Sequence, residues 1–381
     1  MTDEYHADRR SFLRTGAIAG TALVAGASAM AQQVAAETDA SNRPLNKGDI
    51  AILRLLAAVE LIESDLWLQY AELGGVQDSE FPGLTGGSAA YTNALNVLDG
   101  DMSQYIHDNT EDEFSHAAFL NAYLVSKGEK PVNLDQFRTL KGSQATGANK
   151  TKLRLTNLMR LKVDTSWWTR YRSRDKNPDL DPAFVFPQAV PSLFAGQFPA
   201  IPRTDADLAP NNHIQAIANT AAFHFGFIEQ GGSSLYPTLA QRATHPQVLR
   251  ILLSIGPTET SHFQTWHDKA GNGVSDPLAP LTDGSLTFPN LNVPPFPAPP
   301  PFGLEDFQTN LIMPEPCPFL NRKFPAVSII RPTLIETGGA VATIKAFTAD
   351  GLFIGQTDAF FDLIGRLARE ADAATRKCDA D

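Results

Sequence analysis

Two Glu-x-x-His pairs constrain this chain more than any other feature: Glu113 with His116 in "EDEFSH", and Glu259 with His262 in "TETSHF". A spacing of three puts both side chains of a pair on one face of a helix. Both pairs fall on stripes that are otherwise apolar. Ile106, Phe119, Leu120 and Tyr123 mark the first stripe, and Val248, Leu252, Ile255, Phe263 and Trp266 the second. Chance pairing of 15 glutamates with eight histidines over 381 residues gives about 0.3 such pairs. Charged residues are seldom buried without a partner, so two pairs facing a core need something that neutralises them.

The rest of the chain supplies partners. "DIAILRLLAAVELIESDLWLQYAEL" is an amphipathic helix by the three- and four-residue recurrence of Ile52, Leu55, Leu56, Val59, Leu66, Tyr70 and Leu73. Glu63 lies on that stripe; Glu60 competes with it but fits the stripe less well. A third helical pattern, about 210–243, carries Glu229. Gly231 and Gly232 follow it, each weakening a helix by about 1 kcal/mol, and His224 is the conceivable substitute. Tyr70 follows Glu63 by seven residues, and Tyr236 follows Glu229 by seven. Two helical turns place each hydroxyl on the face of its glutamate, to orient a ligand or to sit near a metal as a redox-active group. One Glu from each of two helices plus Glu-x-x-His from two others is the ligand pattern of di-iron carboxylate bundles.

Between these helices the pattern changes. The second helical stretch, Tyr91 to Ser126, carries Gly100 as a kink or boundary and ends at "KGEKP". Residues 132–210 read as an insertion. Nine Lys or Arg lie between Lys150 and Lys176, beside Trp167, Trp168 and Tyr171. A solvated basic face with aromatics packed on the core accounts for them better than a nucleic-acid surface. In the fourth helix Pro246 suits the first turn, and Pro257 is expected to kink it just before Glu259. From Pro277 to Pro332 lie 14 of the 27 prolines, which favours irregular or polyproline coil. The β-branched runs of 326–348 around "ETGG" suggest a small hairpin. "TDAFFDLIGRLAREADAATRK" reads as a closing helix.

The order Glu, Glu-x-x-His, Glu, Glu-x-x-His resembles the ferritin-like superfamily. "EQGGSSLYPTLA" through "PTETSHFQTW" is similar to the second half of rubrerythrin-type bundles, with Glu, then Tyr-Pro, then Glu-x-x-His. The resemblance covers about 48–127 and 210–270, under half of the chain. It implies an all-α fold: a ferritin-like four-helix bundle with a long insertion between helices 2 and 3, and a Pro-rich, partly irregular C-terminal extension ending in a helix. It also implies a dinuclear site of two Fe or Mn ions. Glu113 and Glu259 would bridge them, His116 and His262 would each complete one, and Glu63 and Glu229 would be outer ligands, with Tyr70 and Tyr236 as the catalytic candidates. Four carboxylates packed together repel one another and are costly to desolvate, and two divalent cations neutralise them. Carboxylate and imidazole donors suit Fe or Mn. The implied partners are metal ions and a small oxidant, O₂ or peroxide, and a homodimer is compatible with the pattern. A Cys₄ electron-transfer module is excluded because the chain has only two cysteines, and the long insertion argues against a closed storage cage.

The N-terminus does not read as a folded domain. "DRRSFLRTGAIAGTALVAGASAMAQQ" joins Arg9 and Arg10 to Phe12, Leu13, a mild apolar run and "AMA" (Ala29 to Ala31). This resembles a twin-arginine export signal, with an uncleaved anchor as the alternative, and it implies a periplasmic or secreted protein with no stable membrane span after cleavage. The leader and long extra segments fit the desiccation-related, secreted branch of the superfamily. The expected organisation is a signal over 1–31, a linker over 32–47, the bundle over 48–275 and the extension over 276–381. A net charge of −11 argues against nucleic acid as the main partner. Cys317 and Cys378 could form one disulfide or remain separate thiols. Two functions follow: metal-dependent Fe(II) oxidation or removal of peroxide or O₂ under stress, or a non-catalytic protective or binding protein with a degenerate site. A structural bundle with buried Glu/His hydrogen bonds and no metal is the third alternative.

Overall fold

The structure is a computed structural model and describes residues 43–80, 84–170, 185–291 and 339–376. The expected twin-arginine signal, most of the expected linker, Tyr171, most of the proline-rich stretch, and Cys317 and Cys378 lie outside the described residues. Four long helices form an all-α bundle: α1 (Lys47–Gly74), α3 (Met102–Ser126), α6 (Asn211–Ala240) and α7 (Pro246–Asn272). α1 packs against α3 and α6 against α7. The short α2 (Ala89–Leu98) precedes α3, and the helical stretch expected from Tyr91 divides at Asp99–Asp101, the boundary alternative offered by Gly100. Phe119, expected on the buried stripe of α3, is exposed, and Tyr123 is half-buried.

α1 starts where the Asn46 side chain accepts the Asp49 amide, an N-cap that satisfies an otherwise orphaned donor. Almost every side chain from Ala51 to Gly74 is buried, not one stripe of them. The reason lies in what surrounds the helix. The crossover between α3 and α6 lies along it and is fixed by two buried acids. Asp65 Oδ2 accepts the amides of Leu155 and Thr156 and the Thr156 hydroxyl, and Asp65 Oδ1 takes Arg138. Glu72 takes Arg154, and both are fully buried. At the other end Asp49 accepts the amides of Thr244 and His245 in the α6–α7 turn. The crossover also holds the strand pair β1 (Leu140–Lys141) and β2 (Leu153–Arg154) and the short helices α4 (Ser166–Arg170) and α5 (Pro191–Ala195). Trp167 and Trp168 are buried in the core.

α7 runs through Pro257 without a break in its helical assignment. The missing donor would have met the Leu253 carbonyl, and Leu253 is on the solvent side of the helix, where water can replace it. After α7 the hairpin β3 (Leu281–Asp283) and β4 (Leu286–Phe288) turns at Gly284, which has a positive φ of 58°. The expected hairpin over 326–348 is corrected in its described part: Ala340–Asp350 is helix α8. Its first two amides are capped by the Asp372 carboxylate at the end of α9 (Asp358–Asp372). That tertiary cap overrides the β-branched preference of Val341, Thr343 and Ile344. Among the described residues no helix is long and apolar enough to cross a membrane.

Candidate metal centre

Each of the four long helices sends acidic or imidazole groups to one buried place. Glu60 on α1, Glu113 and His116 on α3, and Glu259 on α7 each offer a ligand atom within 4.8 Å of the others. Glu113, Glu229 on α6, Glu259 and His262 form a second such group. Glu113 and Glu259 belong to both. All four carboxylates are at most 1 % exposed.

The structure thus brings together Glu113, His116, Glu229, Glu259 and His262 of the sequence candidates. Glu63 lies in neither group; Glu60 stands where Glu63 was expected, and Glu63 is buried beside the cluster. The single-stripe argument that preferred Glu63 requires a helix buried on one side. α1 is wrapped on all sides, so the stripe of Leu53, Leu56, Glu60 and Trp67 is equally interior. Apolar residues on every face of 51–73 are the sequence signal that makes both glutamates eligible.

The tyrosines divide. The Tyr236 hydroxyl donates to Glu60 Oε1, across the bundle from its own helix, and not to Glu229. Tyr70 lies away from both groups: its hydroxyl is 2.7 Å from His224 Nδ1, and His224 Nε2 is 3.2 Å from Asp350 Oδ2. His224 is therefore engaged in a separate buried Tyr–His–Asp series that α8 completes, not in replacing Glu229.

Gly231 and Gly232 do not disturb the placement of Glu229, since α6 runs through both. Gly232 is needed for a different reason. A Cβ there would stand 2.5 Å from Glu259 Oε2. Gly256 on α7 makes the reciprocal allowance, because its Cβ would meet Tyr236 Cβ at 2.8 Å. The close approach of α6 and α7 at this level is what lets Glu259 enter the cluster.

Hydrogen bonds orient part of the set. Asn109 Nδ2 donates to Glu113 Oε1 at 2.8 Å and to Glu229 Oε1 at 3.0 Å, while its own oxygen accepts from Trp266 Nε1. Trp67 Nε1 also donates to Glu229 Oε1. His262 Nε2 faces Asp112 Oδ2 at 3.0 Å, so Nδ1 is the nitrogen aimed at the cluster. It lies 3.3 Å from both Glu113 Oε1 and Glu229 Oε2. His116 Nδ1 lies 3.4, 3.3 and 3.2 Å from oxygens of Glu60, Glu113 and Glu259. One N–H can serve only one of three acceptors well, whereas ligands about 2.1 Å from a shared ion have edges of about 3.0–3.4 Å.

Several atoms at the centre remain without a hydrogen-bond partner among the described residues: Glu60 Oε2, Glu229 Oε2, both oxygens of Glu259, and His262 Nδ1. A buried polar atom left unmade is costly, and these converge. Burial raises the carboxyl of Glu60 to about 7 against the pull of His116. It raises Glu259 and Glu63 well above the usual range, the neighbouring carboxylates adding to the effect, and raises Glu229 as well. Glu113 is lowered: burial opposes its charge, but the hydrogen bond from His116 and the close His262 imidazole outweigh it. Both rings are held strongly protonated; burial works against them, and Glu60 at His116 and Glu229 at His262 outweigh it. Protons on the rings thus stand where cations would. Four ligand carboxylates match the charge of two divalent cations, and the donor set of oxygen and imidazole suits Fe, Mn or Zn. The residues fit a dinuclear metal site.

A groove of about 520 Å³ between α3 and α7 reaches the cluster at His116, with Ile251 and Ile255 on its wall and Ser115 at its edge.

Residues 48–271 match the family model of the ferritin-like domain. That is more than half of the chain, and the chain belongs to the ferritin-like domain family. No curated protein and no solved structure gives a match.

Proposed function

We propose that this ferritin-like protein holds two Fe or Mn ions, and acts in Fe(II) oxidation or in removing peroxide or O₂ under stress. The observation that carries the proposal is the pair of buried groups that share Glu113 and Glu259 and leave convergent carboxylate oxygens without partners. Glu60 and His116 would complete one ion, Glu229 and His262 the other. Two adjacent redox ions supply, when bound, the electrons that O₂ or peroxide takes up.

The chain's own groups do the rest. Asp112, Asn109 and Trp67 orient His262, Glu113 and Glu229 through the hydrogen bonds described, and such outer partners set ligand direction and basicity. Tyr236 holds a proton on its oxygen against Glu60, because burial, and then the charges of Glu60 and Glu259, raise its phenol well above the ordinary value. It is therefore a protonated hydrogen-bond donor that orients Glu60 at the ligand shell. Glu63 is buried beside the ligand carboxylates, which together with its burial raise its carboxyl in the metal-free protein.

The Arg-Arg-x-Phe-Leu pattern at Arg9 to Leu13 and the Ala29–Ala31 site support export through the twin-arginine route, and with it a periplasmic or secreted, desiccation-related role. The test is metal analysis of the purified protein beside a Glu113→Ala/Glu259→Ala variant. The proposal expects about two Fe or Mn per chain in the parent, none held tightly in the variant, and consumption of peroxide or O₂ by the loaded parent. A parent that binds no stoichiometric metal refutes the centre. One that binds metal yet consumes neither oxidant points to a non-catalytic protective role.

A further inference from the structure

A second imidazole on α3 is unaccounted for by the buried centre. His107 precedes Glu113 by six residues, about 9 Å of helix at 1.5 Å per residue. It is 3 % exposed. Its Nε2 lies 3.3 Å from Asp78 Oδ1 in the segment after α1. An ionised carboxylate only accepts, so Nε2 carries the hydrogen and donates it to Asp78. In the neutral ring this fixes the tautomer and leaves a lone pair on Nδ1.

That lone pair is buried, and among the described residues it has no hydrogen-bond partner. The groups it faces are acceptors: Asp108 Oδ1 at 3.7 Å and Glu111 Oε2 at 3.9 Å. Both distances exceed a hydrogen bond, so a proton on Nδ1 would not bridge them. They lie a few tenths of an ångström beyond the edge of about 3.4 Å expected for ligands bound about 2.1 Å from one ion. Both carboxylates are solvent-facing, with side chains 40 % and 23 % exposed, and can rotate by that amount. Gln104 donates to Asp108 Oδ1 and steadies it. Asp78 and Glu80 add two more negative groups at the opposite edge of the ring. The Glu111 carboxyl is raised by its burial and by the charges of Glu80, Asp108 and Asp78, while His107 opposes the shift.

We propose that His107, Asp108 and Glu111 form a divalent-cation site separate from the buried centre, with Asp78 orienting the imidazole. One nitrogen and two oxygen donors suit Zn²⁺, Mn²⁺, Fe²⁺ or Co²⁺ rather than Ca²⁺ or Mg²⁺. Its open side leaves positions for water, as in exchangeable sites with three protein ligands. The carboxylate–imidazole–metal order of Asp78, His107 and the ion is the arrangement that fixes a ring for ligation. The site stands whether or not the buried centre is loaded.

Equilibrium dialysis of the full chain against Co²⁺ alone tests it, with the parent compared to Asp108→Asn and Glu111→Gln. Both substitutions are at solvent-facing positions and leave His107 in place, and circular dichroism checks the fold. The expected result is one Co²⁺ equivalent lost, or bound at least tenfold more weakly, in each variant, and a Co²⁺ anomalous peak beside His107 Nδ1 in crystals of the parent. Equal stoichiometry and affinity in parent and variants overturns the proposal. So does an ion beside Nε2, whose binding depends on Asp78 and Glu80 but not on Asp108 or Glu111.

Discussion

Replacing Gly232 by alanine separates the metal centre from the stability of the bundle. In an ordinary helix interior the change stabilises by about 1 kcal/mol. Here the new Cβ would stand 2.5 Å from Glu259 Oε2, 3.2 Å from Cδ and 3.3 Å from Cγ. To restore even a 3.0 Å contact the carboxylate must retreat by roughly 0.5 Å, and metal sites hold their ligand distances to about 0.2 Å. Glu259 belongs to both groups, so both ions should be affected. The expected outcome is a metal-free protein that melts within a few degrees of the parent. Its metal affinity should be at least tenfold weaker, about 1.4 kcal/mol. Gly231→Ala is the control, because its Cβ would meet only ring carbons of Phe347 at 3.5 and 3.7 Å, which is ordinary contact. Metal titration by calorimetry and thermal melts of the metal-free forms give both readouts. A Gly232→Ala protein that binds two ions with parental affinity refutes the reasoning, as does an equal loss in Gly231→Ala.

Three further outcomes are expected. Glu60, raised to about 7 in the metal-free protein, is protonated below that pH, and both imidazoles are protonated with it. Metal must displace these protons, so affinity falls as pH drops through and below 7, and calorimetry in buffers of different ionisation enthalpy should show net proton release; no release contradicts the assignment. Arg154→Ala strands the fully buried Glu72 carboxylate and should cost about 3–5 kcal/mol in denaturant unfolding, whereas a loss under 1 kcal/mol means that the crossover is not anchored there. Ser115→Trp at the edge of the groove should slow oxidant consumption severalfold with metal content unchanged; an unchanged rate places the entry route elsewhere.

The sequence carried the bundle because its four helices repeat apolar residues at helical spacing, and their two Glu-x-x-His pairs name the faces that meet. On α1 the stripe favoured Glu63 over Glu60, whereas the structure brings Glu60 into the buried group, because Asp65 and Glu72 draw the crossover over the outside of that helix. No face of α1 is then left to water, so a single stripe does not distinguish Glu60 from Glu63. The two glycines after Glu229 read as helix weakeners, yet Gly232 is the space Glu259 occupies, a relation between two helices that no local pattern encodes. Tyr70 faced the centre by period alone; His224 and Asp350, the latter 280 residues away in sequence, claim it. The helix at Ala340–Asp350 depends on a cap from Asp372, which is likewise a long-range fact.

The central claim is that Glu113 and Glu259 are shared by two ions. Anomalous diffraction from crystals loaded with Fe(II) or Mn(II), recorded on both sides of the metal absorption edge, tests it directly. Two peaks are predicted, one among Glu60, Glu113, His116 and Glu259 and one among Glu113, Glu229, Glu259 and His262. A single peak, or none with the four carboxylates bonded only to protonated His116 and His262, contradicts it.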